Sequence, residues 1–199
     1  MGSESRGKIL AIYGFLGSGK TTVMMELARS IVNRGHKAAL VVNEAGDVPV
    51  DGKLLEISGL PVKEIFAGCI CCSVVGDFVE TLRALAGDQL LDYILIEPSG
   101  MADAPRLFAS IEKHTQFTVS KVLILDAPRL PLLLKAAGRL IHSQIETAGI
   151  ILMNKLDALS VEQAAEARRL LPERAADAVL FETSALNGLP SDLINEILQ

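Results

Sequence analysis

Tryptophan is absent from the 199 residues, which include only two tyrosines and six phenylalanines. Such a chain has few platforms on which unpaired bases can stack. Basic charge is also short. Nineteen Lys and Arg face 24 Asp and Glu, a formal net charge of −5, so no cationic field gathers nucleic-acid phosphates. Long apolar runs are missing too: the longest stretch free of charge, residues 65–76, falls well short of the ~20 residues a spanning helix needs. Arg6 and Lys8 followed by the apolar residues 9–16 imitate a signal peptide, but Gly14, Gly17 and Lys20 break that pattern. These deficits argue against nucleic-acid and membrane partners and make the cytoplasm the expected address. Hydrophobic residues, in contrast, make up 50% of the chain, enough for a sizeable core and too many for disorder. One domain over 1–199 is expected, with residues 1–7 loose.

Short apolar runs alternate with amphipathic stretches along the chain, the pattern of a parallel sheet covered by helices. Strands are predicted at 8–13, 37–42, 93–97, 121–126, 149–153 and 178–182. Helices are predicted at 21–34, 74–86, 104–113, 131–147, 161–171 and 191–198, the first ending at Gly35. The stretch up to Ala67 carries no clear period. The expected fold class is α/β: a doubly wound, mostly parallel sheet of the P-loop NTPase type with helices on both faces and ligands at the carboxyl ends of the strands.

Gly14-Phe15-Leu16-Gly17-Ser18-Gly19-Lys20-Thr21 spells G-x-x-x-x-G-K-[ST] between a predicted strand and a predicted helix, where that motif belongs. Glycines at 14, 17 and 19 let the backbone turn its N–H groups inward around phosphates, and the helix start adds a favourable dipole. Lys20 supplies charge to the β- and γ-phosphates and Thr21 a hydroxyl for Mg²⁺, with Ser18 in the same string. Glu97 ends the apolar run Ile94-Leu95-Ile96 and can hold Mg²⁺ directly or through water, with the Gly100 N–H offered to the γ-phosphate. Asn154-Lys155-Leu156-Asp157 follows a further apolar strand as an N-K-x-D string. Its Asp157 carboxylate can accept from N1–H and the amine of guanine, donors that adenine does not present together. Ser184-Ala185-Leu186 would bring a backbone N–H near the guanine O6.

All three cysteines lie in Cys69-Ile70-Cys71-Cys72. An odd count within four residues fits metal or redox chemistry better than disulfides, and thiolates suit Zn²⁺, Cu(I) and similar ions. With no second cysteine pair, the site is expected to be open or shared, its fourth place taken by a carboxylate, water or another subunit. Glu44, Asp47 and Asp51, in the loop that precedes the cluster, can serve water positioning, Mg²⁺ or the thiolate-bound metal, or be plain solvated acids. His36, His114 and His142 follow no ligand spacing.

The P-loop with Thr22, the Asn43-Glu44-x-Gly46 loop, Gly68-Cys69-Ile70-Cys71-Cys72, Ile96-Glu97-Pro98-Ser99-Gly100 and Asn154-Lys155-Leu156-Asp157 together closely resemble the CobW-like metallochaperone GTPases, relatives of HypB and UreG. The resemblance covers nearly the whole chain. It implies slow hydrolysis of GTP to GDP and phosphate with Mg²⁺, using Lys20, Thr21, Glu97 and Glu44. It also implies a transition metal, Zn²⁺ first with Co²⁺ or Ni²⁺ as alternatives, held by Cys69, Cys71 and Cys72 with Asp47 and passed to a client metalloenzyme or cofactor pathway. A homodimer or client is expected to complete the site, and the further C-terminal domain typical of the family is not expected. Two other readings stay open: a GTP-gated switch, for example an activator of a corrinoid enzyme, with structural or redox cysteines, and a small-molecule kinase.

Overall fold

The computed structural model of the chain describes residues 7–42, 64–66, 82, 91–98, 104–115, 117–172, 175 and 177–199. Among them run seven strands, β1 (Lys8–Tyr13), β2 (Ala38–Val42), β3 (Glu64–Phe66), β4 (Tyr93–Glu97), β5 (Thr118–Asp126), β6 (Ile150–Asn154) and β7 (Val179–Glu182). Five helices accompany them: α1 (Lys20–Asn33), α2 (Ala104–His114), α3 (Leu130–Thr147), α4 (Val161–Arg169) and α5 (Ser191–Leu198). The strands form one sheet in the order β3-β2-β4-β1-β5-β6-β7, and every pair in it is parallel.

Side chains alternate across each strand, so the two faces of the sheet collect different residues. Ile9, Ala11 and Tyr13 pack with Phe108 and Ile111 of α2 and with Leu133, Ile141 and Ile145 of α3. Leu10 and Ile12 face the other way, against Val23, Met24, Leu27 and Ile31 of α1 and Leu193 and Ile197 of α5. Burial on both faces is why the central strands read as continuous apolar runs rather than as an alternating pattern. Each large side chain so buried contributes on the order of 1.5–3 kcal/mol. The doubly wound architecture expected from the sequence is the one observed.

Helix boundaries follow local chemistry. Gly35, with φ of 82°, ends α1 in the left-handed conformation as anticipated. Ser160 caps α4, its side chain accepting from the Gln163 N–H while the Gln163 side chain accepts from the Ser160 N–H. That helix stops at Arg169, two residues before the predicted end, because the Leu170 N–H closes a tighter turn onto Ala167 O. The predicted helix at 74–86 lies outside the described residues apart from Leu82, which is helical and buried.

Strand order reverses beside β1, whose neighbours are β4 on one side and β5 on the other. The carboxyl ends of β1, β4, β5 and β6 therefore bring residues 14–21, Glu97, Asp126 and Asn154 to one edge of the sheet. In sheets of this kind ligands bind in the crevice at that point.

Candidate functional site

The loop from Gly14 to Gly19 turns through three glycines with positive φ, 142° at Gly14, 75° at Gly17 and 101° at Gly19. Space forbids side chains at two of them as well. A Cβ at Gly14 would stand 2.2 Å from Ile124 O, and one at Gly19 would stand 2.4 Å from Asn154 Nδ2. Gly19 is also the N-cap of α1, which has neither a side-chain cap nor an acid in its first turn, so its N–H groups suit an anion. Ser18 is fully buried, and its Oγ has no hydrogen-bond partner among the described residues. Glycine cradle, open helix start and orphaned hydroxyl together fit a phosphate-bearing ligand. Gly19→Ala is expected to push the loop off Asn154 and to destabilise the protein by about 1–3 kcal/mol, measured by urea unfolding.

Lys20 and Thr21 open α1, and both meet Glu97 from the end of β4. Thr21 Oγ1 donates to Glu97 Oε2 at 3.0 Å, and Lys20 Nζ lies 3.7 Å from Oε1. Lys20 Nζ also donates to Phe15 O at 3.4 Å. Burial pushes the Lys20 ammonium below the usual lysine range, and the charge and hydrogen bond of Glu97 oppose that shift. A hydroxyl beside a carboxylate is a hard-oxygen donor set that suits Mg²⁺.

The third element comes from β6 and the turn after β7. Asn154 is buried and bridges two loops: its Nδ2 donates to Ser18 O and its Oδ1 accepts from the Ala185 N–H, both at 2.9 Å. The Ala185 amide is thus taken by Asn154. Lys155, the one described non-glycine residue with positive φ (66°), donates through Nζ to Gly17 O at 2.6 Å. Asp157 is exposed in a 3-10 turn, Leu156–Ala158, and its N–H donates to Ser184 Oγ at 2.9 Å. Leu186, beside them, is exposed. Residues far apart in sequence, 14–22, 97, 154–157 and 184–186, are therefore brought to one edge.

Two residues at this edge were not singled out from the sequence. Asp126 ends β5 with its carboxylate against Lys155, and Arg129 lies 3.8 Å from that carboxylate while donating to Leu16 O at 3.3 Å. An acid closing an apolar strand is the signal that marked Glu97, and Ile124-Leu125-Asp126 carries it equally. Glu44, Asp47, Asp51, Cys69, Cys71, Cys72 and Gly100 lie outside the described residues. Among those that are described, no three His, Cys, Asp or Glu converge as a metal site.

Comparison with known proteins gives this geometry a family. The family described as CobW/HypB/UreG, nucleotide-binding domain, matches residues 8–183. The chain is 34% identical over 171 residues to the zinc chaperone CobW of a Sinorhizobium species, covering 79% of this chain and 44% of that protein. It is 34% identical over 177 residues to the zinc chaperone YeiR of Escherichia coli K12, covering 86% and 53%. The chain spans about half the length of the curated relatives it matches. The crystal structure of the hydrogenase maturation factor HypB from Archaeoglobus fulgidus shares the fold, with a TM-score of 0.67 at 16% identity over 98% of this chain and 92% of that one. The family match over most of the chain, together with the CobW and YeiR identities, shows that the chain belongs to the CobW/HypB/UreG nucleotide-binding domain family.

Proposed function

We propose that this chain is the GTP-hydrolysing unit of a metallochaperone, taking up a transition metal through Cys69, Cys71 and Cys72 and passing it to a client metalloprotein or cofactor pathway. The observation that carries the reading is the meeting of Lys20, Thr21 and Glu97 at the start of α1, beside a loop held by Asn154 and Lys155. Gly14, Gly17, Ser18, Gly19 and Thr22 line the phosphates, with Lys20 toward the β- and γ-phosphates and Gly100 toward the γ-phosphate. Thr21 and Glu97 would hold Mg²⁺, which would screen phosphate charge when bound. Asp157 reads guanine, supported by Lys155 and the Ser184-Ala185-Leu186 turn. Glu44 orients the attacking water, whose oxygen bonds to the γ-phosphorus as the bond to the bridging oxygen breaks, yielding GDP and phosphate, with one proton of the water kept on the phosphate and the other released to solvent.

Zinc is the first choice of cargo, since CobW and YeiR are both named zinc chaperones. Co²⁺ and Ni²⁺ are the alternatives, and Asp47 supplies a carboxylate to the thiolates. No described helix is long and apolar enough to cross a membrane, and the proposed place of action is the cytoplasm. The client, or a second copy of the chain, completes the site and speeds a hydrolysis that is slow unaided.

The cysteine cluster lies in sequence between residues 43–51 and Glu97, two segments that this reading assigns to sensing the γ-phosphate. Segments of that kind change order with the nucleotide. Linkage then requires the metal to alter the affinity for GTP relative to GDP by the factor by which nucleotide alters metal affinity, about 5- to 150-fold for couplings of ordinary size. Zn²⁺ titrated into nucleotide-free, GDP-bound and GTP-analogue-bound protein should show that difference, and a variant with the three cysteines changed to Ser should lose it. Zinc affinity indifferent to nucleotide, or retained without the thiols, would refute metal carriage and leave a GTP-gated switch. A phosphorylated product that appears only with an added acceptor would instead identify a kinase.

A further inference from the structure

Asp126 has no part in the function proposed above, yet its side chain is only 1% exposed and sits among charges. Its Oδ2 lies 2.7 Å from Lys155 Nζ, and its Oδ1 accepts from the Arg129 N–H at 3.2 Å. Both cations continue to the P-loop, Lys155 to Gly17 O and Arg129 to Leu16 O. With Asn154 on Ser18 O, three consecutive loop carbonyls are engaged by donors from the ends of β5 and β6. The Gly17–Ser18 peptide is held at both ends, since the Ser18 N–H donates to Phe15 O at 3.1 Å. In the flanking Leu16–Gly17 and Ser18–Gly19 planes, which are rigid, holding the C=O on the outer side turns the Gly17 and Gly19 N–H groups toward the inner side, where a phosphate would sit.

We infer that Asp126 is a positioning residue for nucleotide binding, keeping Arg129 on the Leu16 carbonyl and Lys155 on the Gly17 carbonyl so that the loop holds the shape in which the Gly17 and Gly19 N–H groups face phosphate. The inference rests on the nucleotide site proposed above. The charge arrangement explains why an acid is needed there. Lys155 and Arg129 are 38% and 46% exposed along their side chains, and long cationic side chains of that kind gain rotamer freedom and hydration by leaving for water. A buried carboxylate opposes that escape for both at once. It lies at the end of the strand next to β1, so its position is fixed by the sheet rather than by the loop it supports.

The test combines amide hydrogen exchange of residues 14–20 in nucleotide-free protein with GDP affinity and the steady-state constants for GTP. Asp126→Asn should speed exchange in the loop, weaken GDP about tenfold and raise KM with kcat within about twofold, since ground-state and transition-state binding are lost together. Combined with Lys155→Met, its effect on GDP affinity should be smaller than the product of the two single effects, because both act through one contact. Arg129→Met removes the exposed arm alone, should shift the same readouts by a smaller factor, and decides the matter if Asp126→Asn does not fold. Unchanged loop exchange, faster exchange with GDP affinity intact, or fully multiplicative variants would overturn the inference. Failure of the wild type to bind GDP would sink the nucleotide reading, while the exchange arm would still report whether Asp126 holds the loop.

Discussion

Lys20→Ala should lower GTP turnover by about 10²- to 10³-fold or more, the loss typical when one preorganised stabiliser of developing transition-state charge is removed. The ammonium lies beside the glycine cradle and has little competition from water, since the residue is only 6% exposed. Burial depresses its pKa, so the charged form is disfavoured by desolvation in the protein alone, and phosphate oxygens would compensate for that loss of hydration. The fold should survive the change. Lys20 belongs to neither of the two large hydrophobic clusters, and its polar contacts are Glu97 and Phe15 O. The Glu97 carboxylate left without its cation keeps the hydrogen bond donated by Thr21 Oγ1. Phosphate release and circular dichroism compared between the two proteins check both halves, and undiminished turnover in a folded Lys20→Ala protein would refute the assigned phosphate site.

Most of the frame is legible because strands buried on both faces read as short continuous apolar runs bounded by turn signals and alternating with amphipathic stretches. The apolar runs predict strands at 8–13 and 93–97, and β1 is Lys8–Tyr13 and β4 is Tyr93–Glu97. Where prediction and structure differ, a partner rather than the local pattern sets the boundary. Strand β5 begins three residues before the predicted start, because Thr118, Val119 and Ser120 pair with Lys8, Ile9 and Leu10 outside the most buried stretch. Strand β3 has three residues and forms against Leu40, Val41 and Val42 of β2, so no period of its own announced it. In the site, contiguous strings were readable and scattered contacts were not. The glycines, Lys20 and Thr21 stand in one motif, and Asn154 and Asp157 in another. Asp126 belongs to neither string: its partner Lys155 is 29 positions away, and only the parallel register of β5 and β6, which sets Asp126 beside Asn154, brings them together.

Asp157→Asn should transfer nucleotide preference from GTP toward xanthosine triphosphate. A carboxylate facing the base accepts from N1–H and the exocyclic amine of guanine; an amide in its place can donate to the oxo group that xanthine carries instead of the amine. A site built to hydrogen-bond a donor discriminates against analogues lacking it by about 10⁴- to 10⁵-fold, because its acceptor is left unpaired. The wild type is therefore expected to favour GTP over ATP by a factor approaching that range, and the variant to lose most of its GTP affinity while gaining the xanthine nucleotide. The substitution leaves the local backbone in place. Asp157 is exposed, its N–H is held by Ser184 Oγ at 2.9 Å, and the preceding Leu156 N–H is held by Thr183 O at 3.3 Å, none of which involves the carboxylate. Competition binding of GTP, ATP and xanthosine triphosphate to both proteins measures the exchange of preference. A wild type that binds ATP and GTP equally would remove the guanine assignment, and the small-molecule kinase reading would then regain ground.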